Sequence, residues 1–187
     1  MKKTTIVYFS NTGVTEALVK SCQKGLESKN IEVHTHKILG SEIVEGRFSN
    51  EELFKVLLES DAIIFASPTY MGGVSAQFKA FVDASSAYWG EQKWSNKFAS
   101  GMTCGSAING DQSSTLTYMN TLANQHGMLW IGLDSAYGFK DHGINRLGCQ
   151  MGVTAWAEKD GVADKRDEET AFYLGARIGK ILHSKAN

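Results

Sequence analysis

Short apolar runs alternate along the chain with stretches in which apolar side chains recur every three or four positions. The runs are predicted strands, at residues 5–9, 31–38, 61–67, 97–103 and 128–133. The periodic stretches are predicted helices, which begin at Val14, Ser49, Ser75, Ser113 and Lys165. Strict alternation of strand and helix is typical of a parallel α/β sheet. We therefore predict a three-layer α/β sandwich, in which a five-stranded parallel sheet of order 2-1-3-4-5 carries helices on both faces.

One segment departs from this alternation. Residues 134–164 follow the last predicted strand without clear periodicity, and about 30 residues is far more than a strand–helix connection needs. We expect a long excursion from a single domain that spans residues 1–187. The pattern leaves open whether the excursion lines a ligand site or an interface, or has no part in either.

Composition narrows the class of partner. Lys and Arg number 19 against 20 Asp and Glu, so the chain has no basic field for a nucleic-acid backbone. No apolar run is long enough for a signal peptide or a membrane span. The cysteines, Cys22, Cys104 and Cys149, lack metal-ligand spacing and suggest a reducing compartment. We expect a cytoplasmic protein with no metal, no nucleic-acid partner and no membrane partner.

The predicted topology indicates where a ligand binds. In such a sheet the site lies beyond the carboxyl ends of the strands where the strand order reverses, here between the first and third strands. The loop after the first strand is rich in hydroxyl groups and opens a helix, so its amides and the helix dipole can hold an anion. It contains no Lys or Arg, which suits a phosphate that is held and never transferred. The alternative is a plain helix cap. The candidate residues are Ser10, Asn11, Thr12, Gly13, Val14 and Thr15.

The loop after the third strand, 68–73, contains the only proline of the chain. Other phosphate-binding motifs are missing from the sequence. The sequence has no GxxxxGK motif, which excludes a P-loop NTPase. It has no GxGxxG after the first strand, so the standard fingerprint of a dinucleotide-binding domain is also missing. The coincidence of two unusual loops at the predicted reversal point favours a bound ligand over a plain helix cap.

These loops resemble the FMN-binding loops of flavodoxin-like proteins. The segment 67–83 is similar to the NAD(P)H:quinone oxidoreductases of the tryptophan-repressor-binding-protein type, and Trp89 and the segment 125–128 fit that pattern too. The resemblance covers residues 4–133, although Met71 stands where those quinone reductases tend to carry an aromatic residue. It implies a flavodoxin-like fold, FMN as cofactor, NADH or NADPH as electron donor and a quinone-like acceptor.

The resemblance also implies roles for particular residues. The FMN phosphate would lie on the first loop, and Thr69, Tyr70 and Met71 would flank the isoalloxazine ring. The loop after the fourth strand would close over the other side of the ring. Besides the first loop, the implied cofactor-binding residues are Pro68, Thr69, Tyr70, Met71, Gly72, Thr103, Cys104, Gly105, Ser106, Asn109, Gly110 and Asp111.

The resemblance to the quinone reductases also implies that Trp89 and His126 are candidates for the substrate pocket. The predicted helix from Ser75 to Trp89 would be roughly 20 Å long and would carry Trp89 to the opposite edge of the sheet. If Trp89 and His126 line a flavin, a neighbouring subunit must supply them, which implies a homo-oligomer, either a dimer or a tetramer. The alternative is that both residues pack locally.

The sequence leaves three functions open. The first is a flavin-loaded binding module without turnover. The second is an NAD(P)H-dependent FMN oxidoreductase, in which the flavin carries the chemistry. The third is a flavodoxin-type electron carrier that docks on redox partner proteins. A net charge of −1 speaks against a strongly acidic docking face and favours the enzyme, and the alternative is a local acidic patch at Asp167, Glu168 and Glu169. The sequence does not choose between NADH and NADPH and does not name the acceptor.

Overall fold

The computed structural model describes residues 1–108, 110–135, 143–157 and 161–184. Its strands are β1 (Lys3–Tyr8), β2 (Glu32–Lys37), β3 (Ile43–Val44), β4 (Arg47–Phe48), β5 (Ala62–Tyr70), β6 (Gly73–Val74), β7 (Phe98–Gly105), β8 (Leu129–Trp130) and β9 (Val153–Trp156). Its α-helices are α1 (Val14–Glu27), α2 (Glu51–Glu59), α3 (Ala76–Ser85), α4 (Gln112–Gln125) and α5 (Lys165–Ser184). Single 3₁₀ turns lie at Gly40–Glu42 and Ser86–Tyr88.

The central strands are parallel and confirm the predicted order. β2, β1, β5 and β7 lie side by side, and β8 and β9 both pair with β7 at the far edge. In the middle of the sheet, Ile6 of β1 is opposite Thr35 on one side and Ile64 on the other. Two short antiparallel additions, β6 beside the end of β5 and the β3–β4 hairpin, lie outside this pattern.

The fifth strand position is divided between two segments. β8 pairs with Phe98 and Ala99, whereas β9 pairs with the second half of β7, from Met102 to Gly105. The chain returns to the sheet at Gly152, where a Cβ would overlap the carbonyl oxygen of Gly101. The predicted connection 134–164 therefore contains half of a strand, and the excursion interrupts the fifth strand position rather than following it.

Helices cover both faces of the sheet, as predicted. Successive residues of β5 point to opposite faces, so Ile64 joins the core under α1 and α5, and Ile63 and Phe65 join the core under α2, α3 and α4. α1 and α5 are in close contact, because a Cβ at Gly175 would overlap the carbonyl oxygen of Cys22. None of the helices among the described residues is long and apolar enough to cross a membrane.

Helix boundaries show how local side chains decide where a helix begins. The α2 helix is capped by Asn50, whose side chain accepts a hydrogen bond from the Leu53 N–H at 2.8 Å, so the predicted start at Ser49 is wrong by one position. The predicted helix start at Ser75 corresponds to the cap of α3, where Ser75 Oγ accepts a hydrogen bond from the Phe78 N–H. It ends at Ser85, and a 3₁₀ turn leads on to Trp89, so the α-helix is shorter than predicted.

Candidate functional site

The first loop presents amide groups at the carboxyl edge of the sheet. Ser10 is buried, and its Oγ accepts hydrogen bonds from the N–H groups of Gly13 at 3.2 Å and Glu16 at 3.3 Å. Gly13 has a φ of 99°, and a Cβ there would meet nothing within 4 Å, so open space lies beside the loop. The N–H groups of Val14 and Thr15 begin α1 and have no acceptor within the helix. These donors can bind an anion.

The side chains of this loop divide into two groups. Asn11 and Thr12 are exposed at the surface of the loop. Val14 and Thr15 are buried, and Thr15 Oγ1 lies 3.3 Å from Cys104 Sγ under the loop. The Thr15 hydroxyl therefore contacts the thiol beneath the loop. Burial raises the pKa of the Cys104 thiol, so this residue fills space as a neutral group.

Glu16 places a carboxylate in the first turn of α1, beside the anion-binding amides. Its side chain pairs with Lys20 at 2.8 Å and with Lys37 at 2.9 Å. The hydrogen bonds from these two ammonium groups lower the pKa of Glu16. Because both cations neutralise this carboxylate, it does not repel an anion on the loop.

The second loop is a tight hairpin at the end of β5. Thr69 pairs with Val74 and Tyr70 pairs with Gly73, which leaves Met71 and Gly72 as a two-residue turn. Their φ values are 48° and 78°, and positive φ at both positions is the type I′ pattern of β-hairpins. The Met71 side chain is fully exposed, and Tyr70 is 45% exposed. Pro68 lies inside β5, level with Cys104 of β7.

A cluster of three threonine hydroxyls anchors this hairpin. Thr69 Oγ1 lies 2.8 Å from Thr103 Oγ1 of β7 and 2.8 Å from Thr115 Oγ1 of α4. Thr103 and Thr115 are fully buried. The structure thus brings the predicted Thr69 and Thr103 together. Thr115 was not predicted, because the helical pattern gave it no feature beyond an ordinary helix position.

The third loop follows β7, which ends at Gly105. Ser106 is exposed, and Asp111 precedes α4 with a φ of 59°. The buried Gln112 side chain connects the two ends of the loop, since its Nε2 donates to the Ala107 carbonyl at 2.9 Å and its Oε1 accepts from the Gly110 N–H at 3.0 Å. Sequence reasoning missed Gln112. The predicted residue Asn109 lies outside the described residues.

The end of β9 and the chain after it reach two of the three loops. The indole N–H of Trp156 donates to the Ser106 carbonyl of the third loop at 3.1 Å. Gly161 packs on the first loop, because a Cβ there would lie 3.3 Å from the Thr12 carbonyl oxygen. The returning part of the predicted excursion therefore lies at the site. The β-branched and apolar run 153–156 was the signal that could have revealed it.

Trp89 and His126 are separated from these loops. Trp89 is 50% exposed and follows α3, at the amino edge of the sheet. His126 is 2% exposed; its Nε2 lies 2.9 Å from Ser85 Oγ, and its ring centroid lies 4.3 Å from that of Trp94. Burial lowers the pKa of His126. Within this chain, His126 packs locally against Ser85 and Trp94, as the alternative to an intersubunit role expects.

Comparisons with known proteins identify the family of this chain. The family model described as "NADPH-dependent FMN reductase" matches residues 6–139. The chain belongs to this family. It is 33% identical to the flavodoxin FldP of Pseudomonas aeruginosa, with 97% of both chains covered. It is 31% identical to the quinone-oxidoreductase QR2 of Triphysaria versicolor, with 96% of this chain and 94% of that protein covered.

A solved structure matches as well. The flavodoxin, WrbA-like protein from Agrobacterium tumefaciens superimposes with a TM-score of 0.77 and 34% identity, over 98% of this chain and 99% of that one. Membership of the FMN reductase family and this likeness confirm the predicted flavodoxin-like fold and the oxidoreductase class. The family match includes the three loops but ends before β9 and Gly161.

Proposed function

We propose that this protein is an FMN-binding oxidoreductase that takes electrons from NADH or NADPH and reduces quinones or similar acceptors. The observation that carries the proposal is the first loop, where Ser10 Oγ binds the N–H groups of Gly13 and Glu16, and the N–H groups of Val14 and Thr15 have no acceptor within α1. Membership of the FMN reductase family supports the same function.

The residues of the site fit FMN. The amides of the first loop, with the side chains of Ser10, Asn11 and Thr12, would hold the phosphate by neutral donors, as suits a phosphate that is not transferred. Tyr70 and Met71 offer exposed apolar surface at the hairpin tip for the ring system. When bound, FMN supplies hydride acceptance from NAD(P)H and electron donation to the acceptor.

The protein's own part is to bind and orient. The threonine cluster fixes the hairpin against β7 and α4, and Gln112 fixes the third loop. We assign cofactor binding to the first loop (Ser10, Asn11, Thr12, Gly13, Val14 and Thr15), the end of β5 with its hairpin turn (Pro68, Thr69, Tyr70, Met71 and Gly72), and the end of β7 with the third loop (Thr103, Cys104, Gly105, Ser106, Asn109, Gly110 and Asp111).

The test is an anaerobic titration of the purified protein loaded with FMN. NADH or NADPH should bleach the visible absorbance of the bound flavin, and benzoquinone should restore it. The same titration with each nucleotide alone shows which donor is preferred. A protein that takes up no FMN would refute the assignment of the first loop to the FMN phosphate.

A second candidate function is electron transfer between proteins. The relative in Pseudomonas aeruginosa is named a flavodoxin, which favours this alternative. In a carrier, neither NADH nor NADPH would reduce the bound FMN, whereas a flavodoxin reductase would reduce it. Turnover with NADH or NADPH and benzoquinone would exclude this alternative.

We also propose that the protein forms a homo-oligomer in the cytoplasm. The half-exposed Trp89 is a candidate contact at the amino edge and supports an interface between copies. Free cysteines at positions 22, 104 and 149 are compatible with a reducing compartment. Light scattering of the wild-type protein and of the Trp89→Ala variant tests the interface, which is refuted if both are monomers.

A further inference from the structure

Trp156 is held at two points at the end of β9. Its backbone N–H donates to Asp167 Oδ2 at 3.0 Å, and its indole N–H donates to the Ser106 carbonyl at 3.1 Å. The next residue, Ala157, donates its N–H to the Gly105 carbonyl at 2.8 Å. The indole bond therefore attaches the third loop to β9, next to the backbone bond that joins Ala157 to the end of β7.

Asp167 in turn belongs to a buried ion pair. It is 1% exposed, in the first turn of α5, and its two carboxylate oxygens accept bonds from Arg146 Nε and Nη2, both at 2.8 Å. A two-pronged pair of this kind fixes orientation as well as charge. Arg146 belongs to the insertion between β8 and β9, so the insertion holds the carboxylate that joins α5 to β9.

We propose that Trp156 positions the third loop for FMN binding, and that the Asp167–Arg146 pair positions Trp156. This inference rests on the proposed function. The contacts run in one sequence, from Arg146 to Asp167, from Asp167 to the Trp156 backbone, and from the indole to Ser106. None of the three residues lies within the residues that the family model matches.

The chain offers a matched control for the indole. Trp130 lies on β8, which shares the fifth strand position with β9 but pairs with the amino-terminal half of β7. Its indole N–H donates to the Met151 carbonyl at 2.8 Å. Trp130→Phe and Trp156→Phe each remove one indole donor and keep an aromatic ring. Only Trp156→Phe removes a contact with the site.

The experiment titrates FMN into the apoprotein of each variant and follows quenching of flavin fluorescence. One hydrogen bond corresponds to roughly a five- to tenfold change in affinity, so Trp156→Phe should raise the Kd by that factor and Trp130→Phe should not. Amide exchange in the apoprotein gives a second readout. In Trp156→Phe, peptides covering Gly105–Ala107 should exchange faster than in the wild type or in Trp130→Phe.

The ion pair is tested by a double-mutant cycle. Asp167→Asn should weaken FMN binding, and adding Trp156→Phe should cause little further loss, because Asp167 acts through Trp156. Asp164→Asn is the control, since Asp164 lies 3.4 Å from Arg146 in the same network and bonds to Arg166 rather than Trp156. Circular dichroism of each apoprotein confirms that the variants remain folded.

Two results would overturn the inference while leaving the proposed function intact. The first is wild-type FMN affinity and loop exchange in Trp156→Phe. The second is additive loss in the Asp167 cycle, or equal loss in Asp164→Asn. If the wild-type protein itself binds no FMN, the proposed function fails, and the exchange measurement still decides whether Trp156 holds the third loop.

Discussion

The hairpin turn at Met71 allows a substitution whose effects on stability and on FMN binding have opposite signs. Met71 has a φ of 48°, a conformation that costs an ordinary L-residue roughly 1–2 kcal/mol. Asn tolerates this conformation far better and is preferred in type I′ turns. The Met71 side chain is fully exposed, so Met71→Asn loses no buried surface in the apoprotein.

The expected gain in unfolding free energy is about 1 kcal/mol, which raises the apoprotein Tm by roughly 2–4 °C in a chain of this size. FMN binding should change in the other direction, because we assign Met71 to the ring of FMN. The substitution loses about half of the free energy that burial of a methionine side chain contributes, roughly 1.4 kcal/mol. This loss weakens FMN binding about tenfold. Strain retained at a functional turn would explain why Met71 is not Asn or Gly.

The assay pairs thermal unfolding of the apoprotein with an FMN titration. Glu45 provides the control, because Glu45 and Gly46 form the turn between β3 and β4 with φ values of 50° and 78°. Glu45→Asn should raise Tm to a similar extent and leave FMN affinity unchanged. A lower Tm in Met71→Asn would refute the strain argument. Unchanged FMN affinity would refute the placement of Met71 on the ring.

Three further predictions concern the first loop, the helix contact and the buried histidine. Ser10→Ala removes the acceptor for the amides of Gly13 and Glu16, so apoprotein stability should fall by about 1 kcal/mol and FMN affinity at least tenfold; intact affinity would contradict the first-loop assignment. Gly175→Ala should destabilise by about 3 kcal/mol in urea unfolding, because its Cβ overlaps Cys22, whereas Gly40→Ala, with nothing within 4 Å, should be nearly neutral. His126 has a pKa lowered by burial, so the unfolded chain binds the proton first and stability falls as pH drops through about 6.5. His126→Phe should reduce the loss of unfolding free energy between pH 7 and pH 5, and an unchanged slope would show that His126 does not contribute to it.

Local patterns were enough to predict most of the fold. The strand–helix alternation and the loops beside Ser10 and Pro68 identified the sheet, its order and the edge that carries the site, because carboxyl ends of parallel strands meet at one edge. Ser75 was recognisable as the start of a helix, and its hydroxyl accepts a hydrogen bond from an amide only three residues away. Such features depend on neighbours in the sequence, and the sequence shows them directly.

The remaining features depend on contacts between residues far apart in the chain. Thr115 joins Thr69 only because α4 packs beside the end of β5, and Trp156 reaches Ser106 only because β9 pairs with β7. The division of the fifth strand position depends on the close approach of Gly152 to Gly101, which no periodicity reveals. The sequence by itself therefore determined the elements and the place of the site. Tertiary packing alone decided which distant side chains hold the loops of the site, because hydrogen bonds and steric fit act between neighbours in space.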